Sequence, residues 1–126
     1  MTATWNVEVN YIAQWFASLS SRHQEVVAAA IRDLEAGGPG LGRPLVGEVK
    51  GSSISNLKEL RPRKVGGDVI RVLFAFAPDR SGVLLFGGIK GNQKTDGTNS
   101  KEWKKWYKKA IAESERNFAD YNANRK

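Results

Sequence analysis

The run Asp68-Val69-Ile70-Arg71-Val72-Leu73-Phe74-Ala75-Phe76 decides the fold. It is rich in β-branched and aromatic residues and lies between Gly66-Gly67 and Pro78-Asp79, so it predicts a strand. Alternation puts Ile70, Val72, Phe74 and Phe76 on one face and Val69, Arg71, Leu73 and Ala75 on the other. The large residues of the first set must face helices, which turns Arg71 to the opposite, open side. A cation in an apolar strand loses hydration on folding. It therefore needs a carboxylate, a water-facing surface or an anionic ligand.

Two further strand-like runs flank this one, Asn56-Leu57-Lys58-Glu59-Leu60-Arg61-Pro62 and Gly82-Val83-Leu84-Leu85-Phe86-Gly87-Gly88-Ile89-Lys90. The joints Arg63-Lys64-Val65-Gly66-Gly67 and Ala77-Pro78-Asp79-Arg80-Ser81 have hairpin length and turn residues, so the three strands are expected to be antiparallel neighbours. Glu59 and Arg61 share one parity, and the register could bring either beside Arg71. A Glu59–Arg71 pair would contribute about 0.5 kcal/mol if exposed. Lys58 has the other parity. The third run ends in a basic turn containing Lys90, Asn92, Gln93 and Lys94, and the strands together predict a cationic surface suited to phosphate.

The flanks supply helices. Trp5–Val9 alternates as a short strand, and Tyr11, Ile12, Trp15, Phe16 and Leu19 share a helical face. Ser21, followed by Gln24 and Glu25, reads as the start of a second helix. Its stripe of Val26, Val27, Ala30, Ile31 and Leu34 runs to Gly37-Gly38-Pro39-Gly40. From Gly37 to Ser55 a structured loop holds only Leu45-Val46 and Glu48-Val49-Lys50 as extended pieces. A last helix is predicted from about Ser100 to Asn122, with Trp103, Trp106, Tyr107, Ala110, Ile111 and Phe118 as its apolar members. The expected fold is α+β, a single domain over 1–126 with an N-terminal helical hairpin, an antiparallel sheet of three to five strands and a C-terminal helix.

With 126 residues the chain can bury its own core, and it has no cysteine, which excludes disulfides and thiolate metal sites and fits a reducing cytoplasm. No apolar run approaches the roughly 18 residues of a membrane span, and the N-terminus lacks signal-peptide character. The net charge of +7 is uneven. Residues 1–36 carry −2, whereas the remainder carries +9, from 18 basic and 9 acidic side chains. A field of that sign favours a polyanion such as RNA or an acidic protein, although a plain solubility charge has the same form.

His23 is the only histidine. Histidine metal sites and serine–histidine catalysis are therefore not expected, no cofactor is implied, and His23 reads as a surface residue of the second helix. What remains is cations and aromatics: Lys58, Arg61, Arg71, Lys90, Lys94, Asn92 and Gln93, with Trp103, Trp106 and Tyr107. Such a set can bind an RNA backbone, stack bases and stabilise a pentavalent phosphorane. In metal-free RNA cleavage the 2′-hydroxyl is the nucleophile, and a lysine or a tyrosine can move the protons. Trp103, Trp106 and Tyr107 equally have the spacing of a buried helix face.

The segments Gly42-Arg43-Pro44-Leu45, Lys50-Gly51-Ser52, Asn56–Pro62, Val69–Phe76, Lys90-Gly91-Asn92 and Trp103-Lys104-Lys105-Trp106-Tyr107 together resemble the RelE/HigB-like toxins of type II toxin–antitoxin systems, in their phage-derived HigB-like branch. The resemblance implies a microbial-RNase-like fold and a ribosome-dependent endoribonuclease that cuts mRNA. It also implies a cognate antitoxin, usually with a helix-turn-helix domain. By position, Arg71 matches the strand arginine placed against the scissile phosphate, Arg61 a basic residue of the preceding strand, Lys90 and Lys94 the basic turn, and Tyr107 a late tyrosine. Lys58, Asn92, Gln93, Trp103, Lys104, Lys105 and Trp106 are then the expected RNA contacts. A non-catalytic RNA-binding or protein-interaction module on the same scaffold is the alternative, since fold does not determine activity.

Overall fold

The computed structural model describes residues 4–90 and 100–125. Strands β1 (Val7–Glu8), β2 (Val46–Glu48), β3 (Lys58–Leu60), β4 (Val69–Phe76) and β5 (Gly82–Lys90) form one sheet in the order β1-β5-β4-β3-β2. The β2–β3, β3–β4 and β4–β5 pairs are antiparallel as expected, but β1 adds to β5 in parallel, so the sheet is mixed. A parallel partner needs a long crossover, and here it is the whole intervening chain. Helices α1 (Ala13–Ala17) and α2 (Ser21–Gly37) precede β2, and α3 (Ser100–Asn124) follows β5.

The first limb of the expected helical hairpin is short, a 3-10 turn at Asn10–Ile12 followed by five residues of α-helix. The second is capped by Ser20 instead of Ser21: the Ser20 hydroxyl accepts from the His23 backbone N–H at 3.2 Å. An N-cap hydroxyl satisfies one of the free donors of the first turn. At the other end of α2, Gly38 has φ +56°, and a Cβ there would stand 2.3 Å from the Trp5 indole nitrogen. Only glycine suits both the turn and the ring.

The sheet is covered on both sides. Ile12, Ala30 and Leu34 pack on Val46, Leu60, Val72, Phe74 and Leu84, while Ala110 and its helix pack on Leu57, Leu73, Ala75, Val83 and Leu85. The parity read for β4 therefore holds, but the face bearing Arg71 is not open to water along its length, because α3 lies across it. Tyr11 ties the N-terminal turn to α3 by donating to Asp120 at 2.6 Å. Partial burial and that carboxylate push its phenol up to about 12.

An irregularity in β5 sets the last register. Leu73 pairs with Phe86 but Phe74 pairs with Leu84, which leaves Leu85 as an extra residue in β5. A bulge flips the parity of everything beyond it. Gly87 consequently lies under Trp15 on the α1–α2 side, and Gly88 lies under Trp106 on the α3 side. Asn117 of α3 donates to the Leu85 carbonyl at 2.9 Å, supplying a partner where the ladder is broken.

Candidate functional site: a buried carboxylate between two arginines

Glu59 is the centre of the site. It stands in the middle of β3, between Gly47 of β2 and Leu73 of β4, and is 3% exposed. An ionised carboxylate so deep needs charged or hydrogen-bonding partners for its oxygens. Arg61 donates Nε to Oε2 at 2.8 Å and brings Nη2 to 2.7 Å of the same oxygen. The Arg71 Nε lies 3.7 Å from Oε2, and its Nη1 donates to the Ile70 carbonyl at 2.9 Å. The Tyr107 hydroxyl donates to Oε1.

These contacts follow from register. Glu59 opposes Leu73, so Arg61 falls beside Arg71 one pleat further on, all on the α3 side. Glycines make the room: a Cβ on Gly47 would meet Arg61 Nη2 at 2.5 Å, and one on Gly88, opposite Arg71, would meet the Trp106 ring at the same distance. The Arg61 and Arg71 side chains remain 26% and 23% exposed, so their outer edges form the rim of the cluster. Burial, first, and then the hydrogen bond and negative charge of Glu59 push the Tyr107 phenol well above its ordinary range, partly opposed by Arg71. Tyr107 is thus a proton donor toward Glu59. It is not a ready base.

The expected site residues divide into groups. Arg61, Arg71 and Tyr107 come together. Trp103 and Trp106 adjoin them: the Trp103 ring is 5.7 Å from both Trp106 and Tyr107, and Trp106 also packs 5.9 Å from Phe86. Both tryptophans are half-buried. Lys58 points to the other side of the sheet, where with Arg43 and Glu48 it borders a depression of about 280 Å³. Lys104 and Lys105 are exposed, on the side of α3 away from the sheet. Asn92, Gln93, Lys94 and the side chain of Lys90 lie outside the described residues.

Glu59 entered the sequence reading only as a surface partner for Arg71, and the structure corrects that. The signal was present: a carboxylate in an apolar strand, sharing parity with one arginine and able to oppose another. His23 also departs from its expected place. It is half-buried, its Nε2 2.8 Å from Asp68 Oδ2 and its Nδ1 against the Ser20 hydroxyl, which is the α2 cap. This chain ties α2 to the loop before β4, across the sheet from Glu59. Among the described residues no group of three or more histidines, cysteines or carboxylates is placed to hold a metal, and no helix is long and apolar enough to cross a membrane.

Comparison with known proteins assigns the chain to a family. Residues 14–119 match the family described as "Phage derived protein Gp49-like (DUF891)". The chain is 39% identical over 119 residues to "Putative toxin HigB2" of Mycobacterium tuberculosis, across 94% of this chain and 55% of that protein, so it spans about half the length of that curated relative. It is 43% identical over 96 residues to "Putative toxin HigB3" of the same organism, across 76% of this chain and 74% of that protein. The chain belongs to the phage-derived Gp49-like family and, within it, to the HigB-like toxins.

Proposed function

We propose that this chain is the toxin of a toxin–antitoxin pair, an endoribonuclease that cuts mRNA on the ribosome in the cytoplasm and is held in check by a cognate antitoxin with a helix-turn-helix domain. The observation that carries this reading is the Arg61–Glu59–Arg71–Tyr107 cluster. Two guanidinium groups against one carboxylate leave one positive charge in excess, at an exposed rim, beside aromatic rings that can stack a base. A phosphodiester matches that excess.

In this reading the scissile phosphate lies on the outer edges of Arg61 and Arg71, which stabilise the charge that grows on the phosphorane. The 2′-hydroxyl attacks in line. Its proton passes to the Tyr107 oxygen as the phenol gives its own proton to Glu59 Oε1. The new O–P bond forms and the P–O5′ bond breaks, leaving a 2′,3′-cyclic phosphate and a 5′-hydroxyl. Lys90, the last residue of β5, or Lys94, which follows it in sequence, protonates the leaving oxygen. Trp103 and Trp106 flank the strand, and Asn92 and Gln93 are outer contacts.

The test is an in-vitro translation reaction with primer extension on the message. The wild-type chain should produce cuts only on translated mRNA, and Arg71→Ala should reduce them at least about 100-fold. Intact message at saturating wild-type protein would refute the activity, and equal cutting by the variant would refute the site. The second reading, a non-catalytic RNA-binding module, draws on the burial of Glu59, since a cluster so well paired internally can be purely structural. Message bound but uncut would select it.

A further inference from the structure

The outward side of α3 carries four lysines whose placement runs against helix electrostatics. Lys104, Lys105, Lys108 and Lys109 are all exposed. At about 100° per residue they occupy an arc of about 140°, centred opposite the buried Ala110 and Ser114, and about 7.5 Å of helix length. Lys104 faces Lys108 and Lys105 faces Lys109 one turn apart, while Lys105 and Lys108 are three residues apart. Like charges at these spacings destabilise a helix.

A surface built for solubility interleaves both signs. Here the acids are segregated. The first half of α3 has one, Glu102, whereas the second half has Glu113, Glu115 and Asp120, each engaged elsewhere: Glu113 with Arg116 at 2.7 Å, Glu115 with Ser52 at 2.8 Å and Asp120 with Tyr11 at 2.6 Å. None of the four lysines is in an ion pair among the described residues. A local conflict of this kind, relieved by no ion pair among the described residues, marks a place where an external partner supplies the counter-charge.

We propose that this lysine stripe is a docking surface for the phosphate backbone of base-paired RNA, separate from the cleavage site on the other side of the same helix. Charge complementarity names the partner as a polyanion. The absence of rings selects its form: the exposed neighbours of the stripe are Glu102, Ala112 and Arg116, with no aromatic to stack an unpaired base, while Trp106 and Tyr107 turn toward the sheet and Trp103 packs on them. Single strands are held by cations together with stacking platforms, and duplex RNA by its backbone and shape. The biological use rests on the proposed cleavage of ribosome-bound message, because folded RNA would surround that substrate. The stripe would hold the enzyme on that RNA while the opposite side of α3 meets the message.

The test uses the full chain and two fluorescent RNAs with 2′-O-methyl riboses, which lack the attacking hydroxyl: a hairpin and a single strand of equal length. The variant K104Q/K105Q/K108Q/K109Q keeps long side chains on the helix surface, and circular dichroism checks its fold. Its hairpin affinity should fall at least about tenfold near 0.1 M salt, with the log–log salt slope smaller by about 3. Arg32→Gln, at an exposed arginine of α2, should bind the hairpin as the wild type does. Equal hairpin affinity and slope in wild type and quadruple variant would overturn the proposal. So would a loss confined to the single strand, or a loss of polyglutamate binding with hairpin binding intact, which would assign the stripe to an acidic protein. Message left uncut in translation, with lysine-dependent hairpin binding preserved, would remove the nuclease reading and leave this surface standing.

Discussion

Replacing Glu59 by Gln removes the buried charge while keeping shape, and its effect follows from the contacts. Breaking a buried ion pair costs about 3–5 kcal/mol when the orphaned charge stays buried. Here Arg61 and Arg71 are about a quarter exposed and can rehydrate, and the glutamine carbonyl can still accept from Arg61. About 2 kcal/mol of lost stability is therefore expected, close to a 1 M fall in the urea midpoint. A second readout is specific to the cluster. Tyr107 is raised first by burial and then by Glu59, so its folded pKa lies above the unfolded value near 10. The neutral phenol then contributes stability that is present below pH 10 and is lost as pH rises through the folded pKa. In E59Q that loss should be smaller and be complete at lower pH, because the hydrogen bond to a carboxylate and the nearby negative charge are gone while burial remains. Tyrosinate absorbance in a Tyr11→Phe/Tyr121→Phe background, where Tyr107 is the sole tyrosine, reads the titration directly. An unmoved titration together with a stability change under about 0.5 kcal/mol would refute the view that Glu59 organises this site.

Two other substitutions test neighbouring parts of the argument. Gly47→Ala places a methyl group where Arg61 Nη2 now lies 2.5 Å away; the flexible guanidinium can yield, so stability measured by urea should change by less than about 1 kcal/mol while cleavage in the translation assay falls about 10- to 100-fold from the misplaced arginine. Ser114 is fully buried and its hydroxyl has no hydrogen-bond partner among the described residues, so Ser114→Ala should stabilise the fold by about 1 kcal/mol, read as a higher thermal midpoint, through relief of desolvation and better helix propensity.

Most of the fold was legible because its signals are local. β5 begins and ends where its composition says, β4 starts one residue later than the quoted run, and the α2 stripe ends at its glycines. The misses have physical causes. Ser20 and Ser21 are equivalent as caps until the backbone chooses, and Ser20 took the extended conformation with ψ 161°. His23 looked solvated because its partner, Asp68, is 45 residues away. The pairing of Glu59, Arg61 and Arg71 was weighed from parity, but burial was not, since parity does not say which sheet face a distant C-terminal helix will cover.

The sequence by itself determined the strands, the parity that puts Arg61 and Arg71 on one side, and the toxin-family resemblance, because alternation and motif spacing are properties of neighbouring residues. The tertiary structure alone decided that α3 closes over that side, that Glu59 lies buried between the arginines, and that Tyr107 reaches it. It also decided the parity of Gly88. Val83-Leu84-Leu85-Phe86 is apolar at every position, so no alternation could reveal the extra residue at Leu85. The bulge turns Gly88 to face Trp106, and α3 can then lie close enough to deliver Tyr107 to Glu59.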